Sequence, residues 1–336
     1  MPSPTVAICI PTYNQAVYLK KSVLSALSQS YSSVEVWVSD DCSTDETAEV
    51  AKDLLSQYSS LRYHRQKVNL GISANNNWLL SQPQTDFIVR LDSDDLLHPR
   101  YIEELVPLLE VHPQAGYAHC AIQEIDQHDQ PRRVRVLGQR SIYQDADDAL
   151  RASITGYRVA ANICMFRQEV LEQMNFYKSK LLFAEDWDLA VRIADAGWGN
   201  VYCDQILASY RFWEDASNIR PKRKYDEIEG CREVFEQSLH PAFSRRNWPT
   251  SFIANSRKKV ALSHAIVLDA PYFTSNEQAS LVEALTRLGD SPQLRISIWM
   301  LQHRMGFILR SRNKISLTLR SLVKKIVWKI GKVRKS

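Results

Sequence analysis

The stretch Phe87-Ile88-Val89-Arg90-Leu91-Asp92-Ser93-Asp94-Asp95 decides the fold. It begins as a short, mostly apolar run, which predicts a buried strand. It ends in crowded carboxylates, which repel one another unless a cation lies among them. Mg²⁺ and Mn²⁺ prefer oxygen ligands and often bridge to phosphate. The stretch therefore predicts a metal–diphosphate site at the end of a strand, or else a polar turn with capping acids before a helix at Arg100–Leu109.

Upstream of this strand, apolar runs alternate with segments of helical spacing. Strands are predicted at Val6–Ile10, Val34–Val38 and Leu61–His64. Helices are predicted at Tyr18–Ser30, Thr47–Leu55 and Ala74–Leu80. Such alternation indicates a mostly parallel sheet with helices on both faces, in which ligands bind outside the carboxyl ends of the strands. We therefore expect the loops Pro11–Asn14, Ser39–Ser43 and Asp92–Asp95 to lie along one edge.

The downstream part continues the α/β pattern less regularly. Further strands are predicted at Ala115–Ala121, Arg133–Leu137, Ala160–Phe166, Val201–Cys203 and Leu207–Phe212. Further helices are predicted at Asp145–Arg151, Gln168–Met174 and Ala184–Asp195, and residues 222–290 look mainly helical, with breaks at Pro241, Pro249 and Pro271. The fold class expected is α/β, with a mostly parallel central sheet flanked by helices and followed by a helical C-terminal region.

Composition favours a soluble globular protein kept in a reducing compartment. The chain has 336 residues, 45% of them apolar and 24% charged. Its six cysteines are scattered and form no CxxC pair, which argues for free thiols in the cytosol. The N-terminus has no charged region followed by a cleavable apolar core, and no run of about 18 apolar residues occurs. We therefore expect neither secretion nor a membrane-spanning helix.

The C-terminal tail differs in charge from the rest of the chain. From Arg310 onward there are ten Lys/Arg and no Asp/Glu, whereas the other 309 residues have a net charge of −6. Apolar tail residues recur at helical spacing, and most of the lysines lie opposite them. A basic amphipathic helix of this kind predicts contact with an anionic membrane surface. The alternative is a helix docked on the body of the protein, and nucleic-acid binding has less support.

Two loops after strands offer groups that could bind a nucleobase. Asp40 and Asp41 could accept hydrogen bonds from a base, or they could be an ordinary turn-forming pair. Pro11, Thr12 and Tyr13 provide a fixed turn, a hydroxyl and a ring on which a base could stack, or simply a surface loop.

A second acidic cluster, Glu185-Asp186-Trp187-Asp188, begins a predicted helix. Acids are favoured there by the helix dipole alone. They could also supply a general base that takes a proton from an attacking hydroxyl. The spacing of Asp186 and Asp188 cannot place both on one helical face, so at most one of them is expected to be the base. Trp187 could offer a stacking face to a sugar. Neither GxGxxG nor GxxxxGK[ST] occurs, so dinucleotide and P-loop sites are not indicated.

These motifs, taken in order, resemble the family 2 inverting glycosyltransferases of the GT-A fold over roughly residues 5–215. The matching stretches are Ile10–Asn14, Val38–Asp45, Asn69–Gly71, Leu91–Asp95 and Ala184–Leu189. The resemblance implies that Asp186 is the catalytic base, and that Asp92 and Asp94 hold a divalent metal, Mn²⁺ or Mg²⁺. Glu185 and Trp187, next to Asp186 in the sequence, are expected to bind the acceptor, and Asp95 has no firm role. The implied donor-binding residues are Pro11, Thr12, Tyr13, Asp40, Asp41, Asn69, Gly71 and Asp92.

Three departures from the family pattern stand out. Cys42 replaces a glycine that is usual in the turn after the second strand. The stretch Gln173–Phe176 replaces a common Gly-Gly-Phe on the acceptor side. The late strand ends in Tyr210-Arg211-Phe212-Trp213, without the histidine that members often carry.

The sequence predicts a catalytic domain at 1–215, with a nucleotide-binding half at 1–100 and an acceptor half at 101–215. A helical extension at 216–294 and a basic amphipathic segment at 295–336 would follow. The expected activity is metal-assisted, inverting transfer of a sugar from a nucleotide-diphosphate donor to a saccharide or lipid-linked acceptor in cell-surface polysaccharide synthesis. The resemblance implies that the donor is a UDP-sugar. The expected location is the cytoplasm, peripherally on the inner face of the cell membrane. A catalytically inactive sugar-nucleotide-binding protein and a metal-dependent nucleotidyltransferase are the alternatives.

Overall fold

A computed structural model describes residues 3–136, 142–157, 159, 163–178, 181, 183–213 and 223–305. The strands are β1 Val6–Thr12, β2 Val34–Asp40, β3 Leu61–Arg65, β4 Phe87–Leu91, β5 Leu96–Leu97, β6 Ala115–Ile125, β7 Pro131–Arg135, β8 Tyr143–Gln144, β9 Ile163–Arg167 and β10 Gly199–Arg211. The helices of this α/β part are α1 Ala16–Leu27, α2 Thr47–Gln57, α3 Ile72–Leu80, α4 Tyr101–Val111, α5 Ala146–Ser153, α6 Gln168–Gln173 and α7 Glu185–Asp195. The strand–helix alternation predicted for the first hundred residues is confirmed.

The described strands form a single sheet in the order β3-β2-β1-β4-β9-β6-β10-β5, with β7 beside β6 and β8 beside β10. The pairs β3–β2, β2–β1, β1–β4 and β6–β10 are parallel. Strand β9 is antiparallel to both of its neighbours, β4 and β6. The central sheet is thus mostly parallel, as the sequence predicted, with β9 placed between its two parallel parts.

The carboxyl ends of β1, β2 and β4 meet at one edge of this sheet. Thr12 is in register with Asp40, and Asp41 N donates to Thr12 O at 2.9 Å. The next loops also touch, because Asn14 N donates to Ser43 Oγ at 2.9 Å. Strand β4 runs parallel to β1 on its other side and delivers Asp92 to the same edge. The predicted convergence of the three loops is therefore confirmed.

Strand β4 is buried on both faces, which explains its nearly continuous apolar sequence. Phe87, Val89 and Leu91 belong to one hydrophobic cluster, with residues of α1 and α4. Ile88 belongs to a second cluster, with residues of α3, α6 and α7. The acidic loop after β4 is thus anchored by a strand held from both sides.

The prediction of two short strands at Val201–Cys203 and Leu207–Phe212 is wrong. The structure has one long strand, β10, that pairs with β6 along most of its length. Register shifts occur between Cys203 and Ile206 and between Ile206 and Ala208. The exposed polar residues Asp204 and Gln205 lie at this irregularity, so a bulge, and not a turn, interrupts the apolar pattern.

The chain divides into two compact units: Met1–Ser217 with Glu233–Thr250, and Asn218–Arg232 with Ser251–Ser336. The helical elements after residue 222 are α8 Lys224–Glu233, a π-helical segment Val234–Leu239, α9 His240–Arg245, α10 Ser251–His264, a 3₁₀ segment Ala265–Asp269, α11 Ser275–Gly289 and α12 Pro292–Gln302. The predicted break at Pro241 is wrong, because helical backbone continues from the π-helical segment Val234–Leu239 into His240–Arg245. The wider π-helical turns lie directly before this proline, at the place where its ring would crowd a regular α-helix. The domain boundaries inferred from sequence stay predictions.

The amphipathic tail predicted from Arg310 onward lies outside the described residues. Within the part of the chain that the structure describes, no helix has both the length and the apolarity needed to cross a bilayer.

Candidate active site

Three carboxylates converge in the loop after β4. Asp92, Asp94 and Asp95 each offer an oxygen, and these oxygens lie within 4.8 Å of one another. Burial and the neighbouring Asp94 raise the pKa of Asp92 to about 6, although Arg90 opposes this. Burial, followed by Asp94 and Asp92, raises the pKa of Asp95 well above its usual range. The loop therefore concentrates negative charge that a cation would relieve.

The end of β10 fixes the shape of this acidic loop. Arg211 N donates to Asp95 Oδ1 at 2.7 Å, and Arg211 Nε donates to Asp94 O at 2.8 Å. Trp213 Nε1 donates to Asp94 Oδ2 at 2.6 Å. Helix α4 begins only at Tyr101. The suggestion that Asp95 caps that helix is therefore wrong, because its carboxylate accepts from the β10 backbone.

The acidic loop fits a hard divalent cation. Carboxylate oxygens are the ligands that Mg²⁺ and Mn²⁺ prefer, and oxygens this close can converge on one ion. Asp92 and Asp94 are half-buried, whereas Asp95 is 1% exposed and lies deeper in the loop. Trp213 stands near Asp94 at the end of β10, and its indole N–H can only donate a hydrogen bond. Among the described residues, the side chains that cluster here thus offer a metal carboxylate oxygens.

Asp40 and Asp41, predicted to contact the nucleobase, are both buried, and their carboxylates accept hydrogen bonds from neighbouring protein groups. Asp40 accepts from Tyr63 Oη at 2.7 Å and from Ser43 N at 2.8 Å. Asp41 accepts from the backbone N–H groups of Leu70 and Gly71 at 2.6 and 2.9 Å. The side chain of Asp40 has no exposed surface. In this arrangement both carboxylates shape the edge of the sheet, and direct contact of Asp40 with a base would require it to leave these partners.

The other predicted donor-side residues differ in their accessibility. Tyr13 is 47% exposed and offers an open ring, whereas Thr12 is 3% exposed. Asn69 is exposed, and its Oδ1 accepts from Gly71 N at 3.1 Å. Gly71 precedes α3 with φ of 83°, a conformation that favours glycine. Pro11 is half-buried at the end of β1.

Cys42 adopts the backbone conformation that makes glycine usual at its position. Its φ is 63°, in the left-handed region that residues with a Cβ rarely adopt. Cys42 N donates to Asp40 O at 2.9 Å, so the turn keeps its hydrogen bond with cysteine in place. This departure from the family pattern thus leaves the turn intact.

The second acidic cluster opens α7, and the helix sends its acids in different directions. Asp186 accepts from Arg90 Nη1 at 2.6 Å. Asp188, 1% exposed, instead accepts from Lys178 Nζ and Arg192 Nε, both at 2.7 Å, and from Ser238 Oγ at 2.5 Å. Burial raises the pKa of Asp188, but Arg192 and Lys178 outweigh it and hold that pKa below its usual range. Asp186 faces the acidic loop, and Asp188 braces the helix.

The acceptor-side residues Glu185 and Trp187 have contrasting environments. Burial and the adjacent Asp186 raise the pKa of Glu185 to about 7. Trp187 is 5% exposed, its Nε1 donates to Ser153 O at 2.9 Å, and its ring meets Phe235 edge-on. The expectation of a sugar-stacking face on Trp187 is wrong, because the ring belongs to the core.

The segment before α7 is held in an unusual backbone conformation. Asn175, Phe176 and Ala184 all have positive φ, which non-glycine residues rarely adopt. Arg192 stabilises it by donating to Met174 O at 2.6 Å and Phe176 O at 2.7 Å. The stretch that replaces the family's Gly-Gly-Phe is thus anchored to α7 itself.

An open cavity of about 670 Å³ adjoins this segment. Its lining includes Asn77 of α3 and the consecutive residues Phe176, Tyr177 and Lys178. Tyr177 is buried, and its hydroxyl lies 3.2 Å from Arg90 Nη1. Tyr177 therefore connects the wall of the cavity with the group that contacts Asp186.

Arg90 is the site residue that sequence reasoning missed. It donates to Asp186 Oδ1 at 2.6 Å and to Asp92 Oδ1 at 3.1 Å, and it thus joins the two acidic clusters. Burial alone would lower the pKa of Arg90, but Asp92 and Asp186 raise it above its usual value. The available signal was a single arginine inside an otherwise apolar strand, since a buried cation requires anionic partners.

Comparison with known proteins defines the class to which this site belongs. The model of glycosyl transferase family 2 matches residues 7–174, which is half of the chain. The match includes the loops after β1, β2 and β4, and the class is that of the glycosyltransferases. The chain belongs to glycosyl transferase family 2, as the resemblance predicted.

Relatives and solved structures agree with this assignment. The chain is 29% identical over 220 residues to EpsE of Bacillus subtilis (strain 168), covering 65% of this chain and 76% of EpsE. Its fold is similar to S. aureus TarS 1–349 in complex with UDP-GlcNAc, with TM-score 0.61, 16% identity and coverage of 90% and 88% of the two chains. It is also similar to the mannosyltransferase PcManGT of Pyrobaculum calidifontis in complex with GDP-Man and Mn²⁺, with TM-score 0.57, 15% identity and coverage of 92% and 87%. The fold is GT-A-like.

Proposed function

We propose that this protein transfers a sugar from a UDP-sugar to a saccharide or lipid-linked acceptor, with inversion, in cell-surface polysaccharide synthesis. The observation that carries the proposal is the joint placement of two acidic groups. Asp92, Asp94 and Asp95 gather at one end of β4, and Asp186 lies beside them, linked through Arg90. A displacement at a sugar carbon needs these two functions, one for the leaving group and one for the attacking hydroxyl.

The donor would lie across the edge where β1, β2 and β4 end. Tyr13 would stack on the base, because its ring is exposed. Thr12, Pro11, Asn69 and Gly71 would complete the base and ribose pocket, with Asp40 and Asp41 fixing the loops that form it. UDP is the proposed nucleotide because the family resemblance and the UDP-GlcNAc complex of TarS both favour it.

Asp92 and Asp94 would hold a divalent cation, Mn²⁺ or Mg²⁺, together with the donor diphosphate. The cation would stabilise the charge that develops on the departing nucleoside diphosphate. Support comes from the oxygen-only ligand set of the loop and from the Mn²⁺ complex of PcManGT. The buried Asp95 would keep this loop in shape through its bond to Arg211.

Asp186 would act as the general base. Its carboxylate would accept the proton of the acceptor hydroxyl as the hydroxyl oxygen attacks the anomeric carbon. The bond to the diphosphate oxygen breaks on the opposite side of the sugar, so the configuration inverts. Glu185 would line the acceptor side beside the base.

The test of this proposal is Asp186→Asn, which keeps the shape of the side chain but removes the base. We expect transfer to be abolished while UDP and Mn²⁺ still bind, measured by nucleotide release and by calorimetry. The donor is first chosen by screening nucleotide sugars with Mn²⁺ for hydrolysis and thermal stabilisation. Near-normal turnover of Asp186→Asn would overturn the base assignment.

The products of the same assay separate the two alternatives. A nucleotidyltransferase would release pyrophosphate instead of a nucleoside diphosphate. A catalytically inactive binding protein would be stabilised by the nucleotide sugar without turning it over. Either outcome would replace the proposed reaction.

We also propose that the protein works at the cytoplasmic face of the cell membrane. The support is the sequence of the tail, with ten Lys/Arg and no acid from Arg310 onward. Each basic residue near anionic lipid contributes on the order of 1 kcal/mol of attraction. Deletion of residues 310–336 should release the protein from phosphatidylserine-containing vesicles, measured by co-sedimentation. Unchanged binding would contradict the membrane role.

A further inference from the structure

Arg90 lies at the centre of the sheet, in a place where a charged side chain is unfavourable. Its partners in register are Cys9 on β1 and Cys164 on β9, both fully buried. The Arg90 side chain is 3% exposed. Removing a guanidinium from water is strongly unfavourable unless well-placed anions compensate. The position of Arg90 therefore depends on the groups at the tip of its side chain.

The two terminal nitrogens of Arg90 contact both acidic clusters at once. Nη1 donates to Asp186 Oδ1 at 2.6 Å and Nη2 donates to Asp92 Oδ1 at 3.1 Å. Nη1 also lies 3.2 Å from the hydroxyl of Tyr177, and the guanidinium carbon lies 5.4 Å from the Tyr177 ring centre. Among the described residues, no hydrogen-bond partner reaches the buried Nε. The functional contacts of Arg90 are thus concentrated at its planar fork.

We propose that Arg90 is a positioning residue that sets the distance and orientation between Asp186 and Asp92. The inference rests on the proposed function, in which Asp186 takes the proton and Asp92 serves the donor. An in-line displacement requires the base and the leaving-group site to lie on opposite sides of one sugar ring. A rigid guanidinium has fixed N–H directions, so it can hold two carboxylates at a set distance and orientation. The flexible ammonium of a lysine cannot do this. Arg90 engages Oδ1 of Asp186, which leaves the carboxylate's other oxygen to serve the acceptor hydroxyl.

The alternative is that Arg90 only neutralises charge and stabilises the fold. The two roles differ in what Arg90→Lys should do, because lysine keeps the charge but not the fork. If Arg90 positions the base, kcat should fall about 100-fold, the scale expected for a misplacement of about 1 Å. The Kd of UDP with Mn²⁺, measured by calorimetry, should rise by only about tenfold, the lower end of the range for a group that contacts a metal ligand, because lysine keeps the charge beside Asp92. A role in charge balance alone predicts near-normal kcat in the folded variant.

A double-mutant cycle connects the effect to Asp186. In the Asp186→Asn background, Arg90→Lys should lower the residual transfer rate very little further, because the group that Arg90 positions has already been disabled. Residual rates can be followed as UDP release from the selected UDP-sugar with and without acceptor. Equal fold losses in both backgrounds would overturn the proposal. If Asp186→Asn itself leaves transfer intact, the proposed function fails first, and this result is distinguishable from a failure of the positioning role.

Two further variants keep the test decisive if Arg90→Lys folds poorly. Tyr177→Phe removes the hydroxyl beside Arg90 without changing any charge, and it should lower kcat several-fold at unchanged UDP affinity. Arg167→Lys is the matched control, since Arg167 is on β9 next to β4 but donates to the backbone carbonyls of Leu109, His112 and Ala115. It should lower thermal stability and leave kcat unchanged. A loss of kcat in Arg167→Lys as large as in Tyr177→Phe would contradict a specific role for Arg90.

Discussion

The two acidic clusters have similar compositions but opposite arrangements. In the loop after β4, a turn brings three carboxylates to one point, with oxygens within 4.8 Å. At the start of α7, the rotation of the helix separates Asp186 from Asp188, and each carboxylate pairs with a different arginine. A loop can thus concentrate negative charge at one point. The helix instead directs one acid toward the candidate site and the other into stabilising ion pairs. The comparison predicts different consequences for removing one acid from each cluster.

Asp94→Ala should have the largest effect, because it removes a carboxylate from the point where the acids converge. Mn²⁺-dependent binding of UDP should weaken more than about 100-fold, since even outer-shell partners of a metal contribute about 10–100-fold. Calorimetry with UDP and Mn²⁺ measures the change. Asp53→Ala, on the exposed face of α2, serves as the control and should bind normally. Unchanged binding by Asp94→Ala would show that the loop is only a turn.

Asp188→Asn tests the bracing role of the second cluster. Removing the charge leaves Lys178 and Arg192 without their buried partner, so the free energy of unfolding should fall by about 2–3 kcal/mol. The pKa of Asp188 is depressed in the folded state, so its stabilisation is present above the usual carboxyl pKa and is lost as pH falls through the depressed value. Urea unfolding at pH 7 and pH 3 should therefore show a smaller difference between variant and wild type at the lower pH.

The control for this experiment is Asp148→Asn, which removes an exposed acid paired with Arg151 on α5. Exposed pairs contribute less than about 1 kcal/mol, so this variant should unfold close to wild type. If Asp148→Asn and Asp188→Asn lose equal stability, burial of Asp188 is not what makes it important.

The parts of the fold that local patterns determine could be predicted from the sequence. Apolar runs and helical spacing gave the strand–helix series, and the parallel connections placed three loops at one edge. The environments of individual side chains could not be predicted in this way. Arg90, for example, needs Asp186, whose position depends on the packing of α7, far along the chain.

Trp187 and Asp40 show the same limit for residues that belong to the predicted motifs. The helical period does not say which face of a first turn meets the core, and here Trp187 faces Phe235. A loop carboxylate can bind a ligand or its own backbone, and here Ser43 N and Tyr63 Oη engage Asp40. Motif spacing locates such residues, but tertiary packing decides what they contact.

Trp213→Phe tests whether the residue that donates to Asp94 just after β10 affects metal binding by the acidic loop. The change removes the N–H donated to Asp94 but keeps an aromatic ring against Tyr18, which it meets edge-on. Mn²⁺ affinity, measured by calorimetry with UDP, should fall about tenfold because Asp94 loses its orientation. Trp198→Phe is the control, since Trp198 Nε1 donates to Gln173 on α6 and not to the acidic loop. Equal losses in the two variants would exclude a specific effect of Trp213.

The smallest effect should come from replacing Glu185, the first residue of α7 and the neighbour of Asp186. Its pKa is raised to about 7 because burial and Asp186 disfavour the charged form. Because the carboxyl pKa is raised on folding, the folding stability declines as pH rises from the usual glutamate pKa of about 4.3 toward about 7. In EDTA, Glu185→Gln should relieve this decline and be more stable than wild type by about 1 kcal/mol at pH 8, after allowance for its partial exposure. Urea unfolding at pH 5 and pH 8 measures the difference, and an advantage that is the same at both pH values would mean that ionisation of Glu185 does not oppose folding. The acids at the start of α7 would then be fully compensated by Arg90 and the helix dipole, and strong charge repulsion would be confined to the loop after β4.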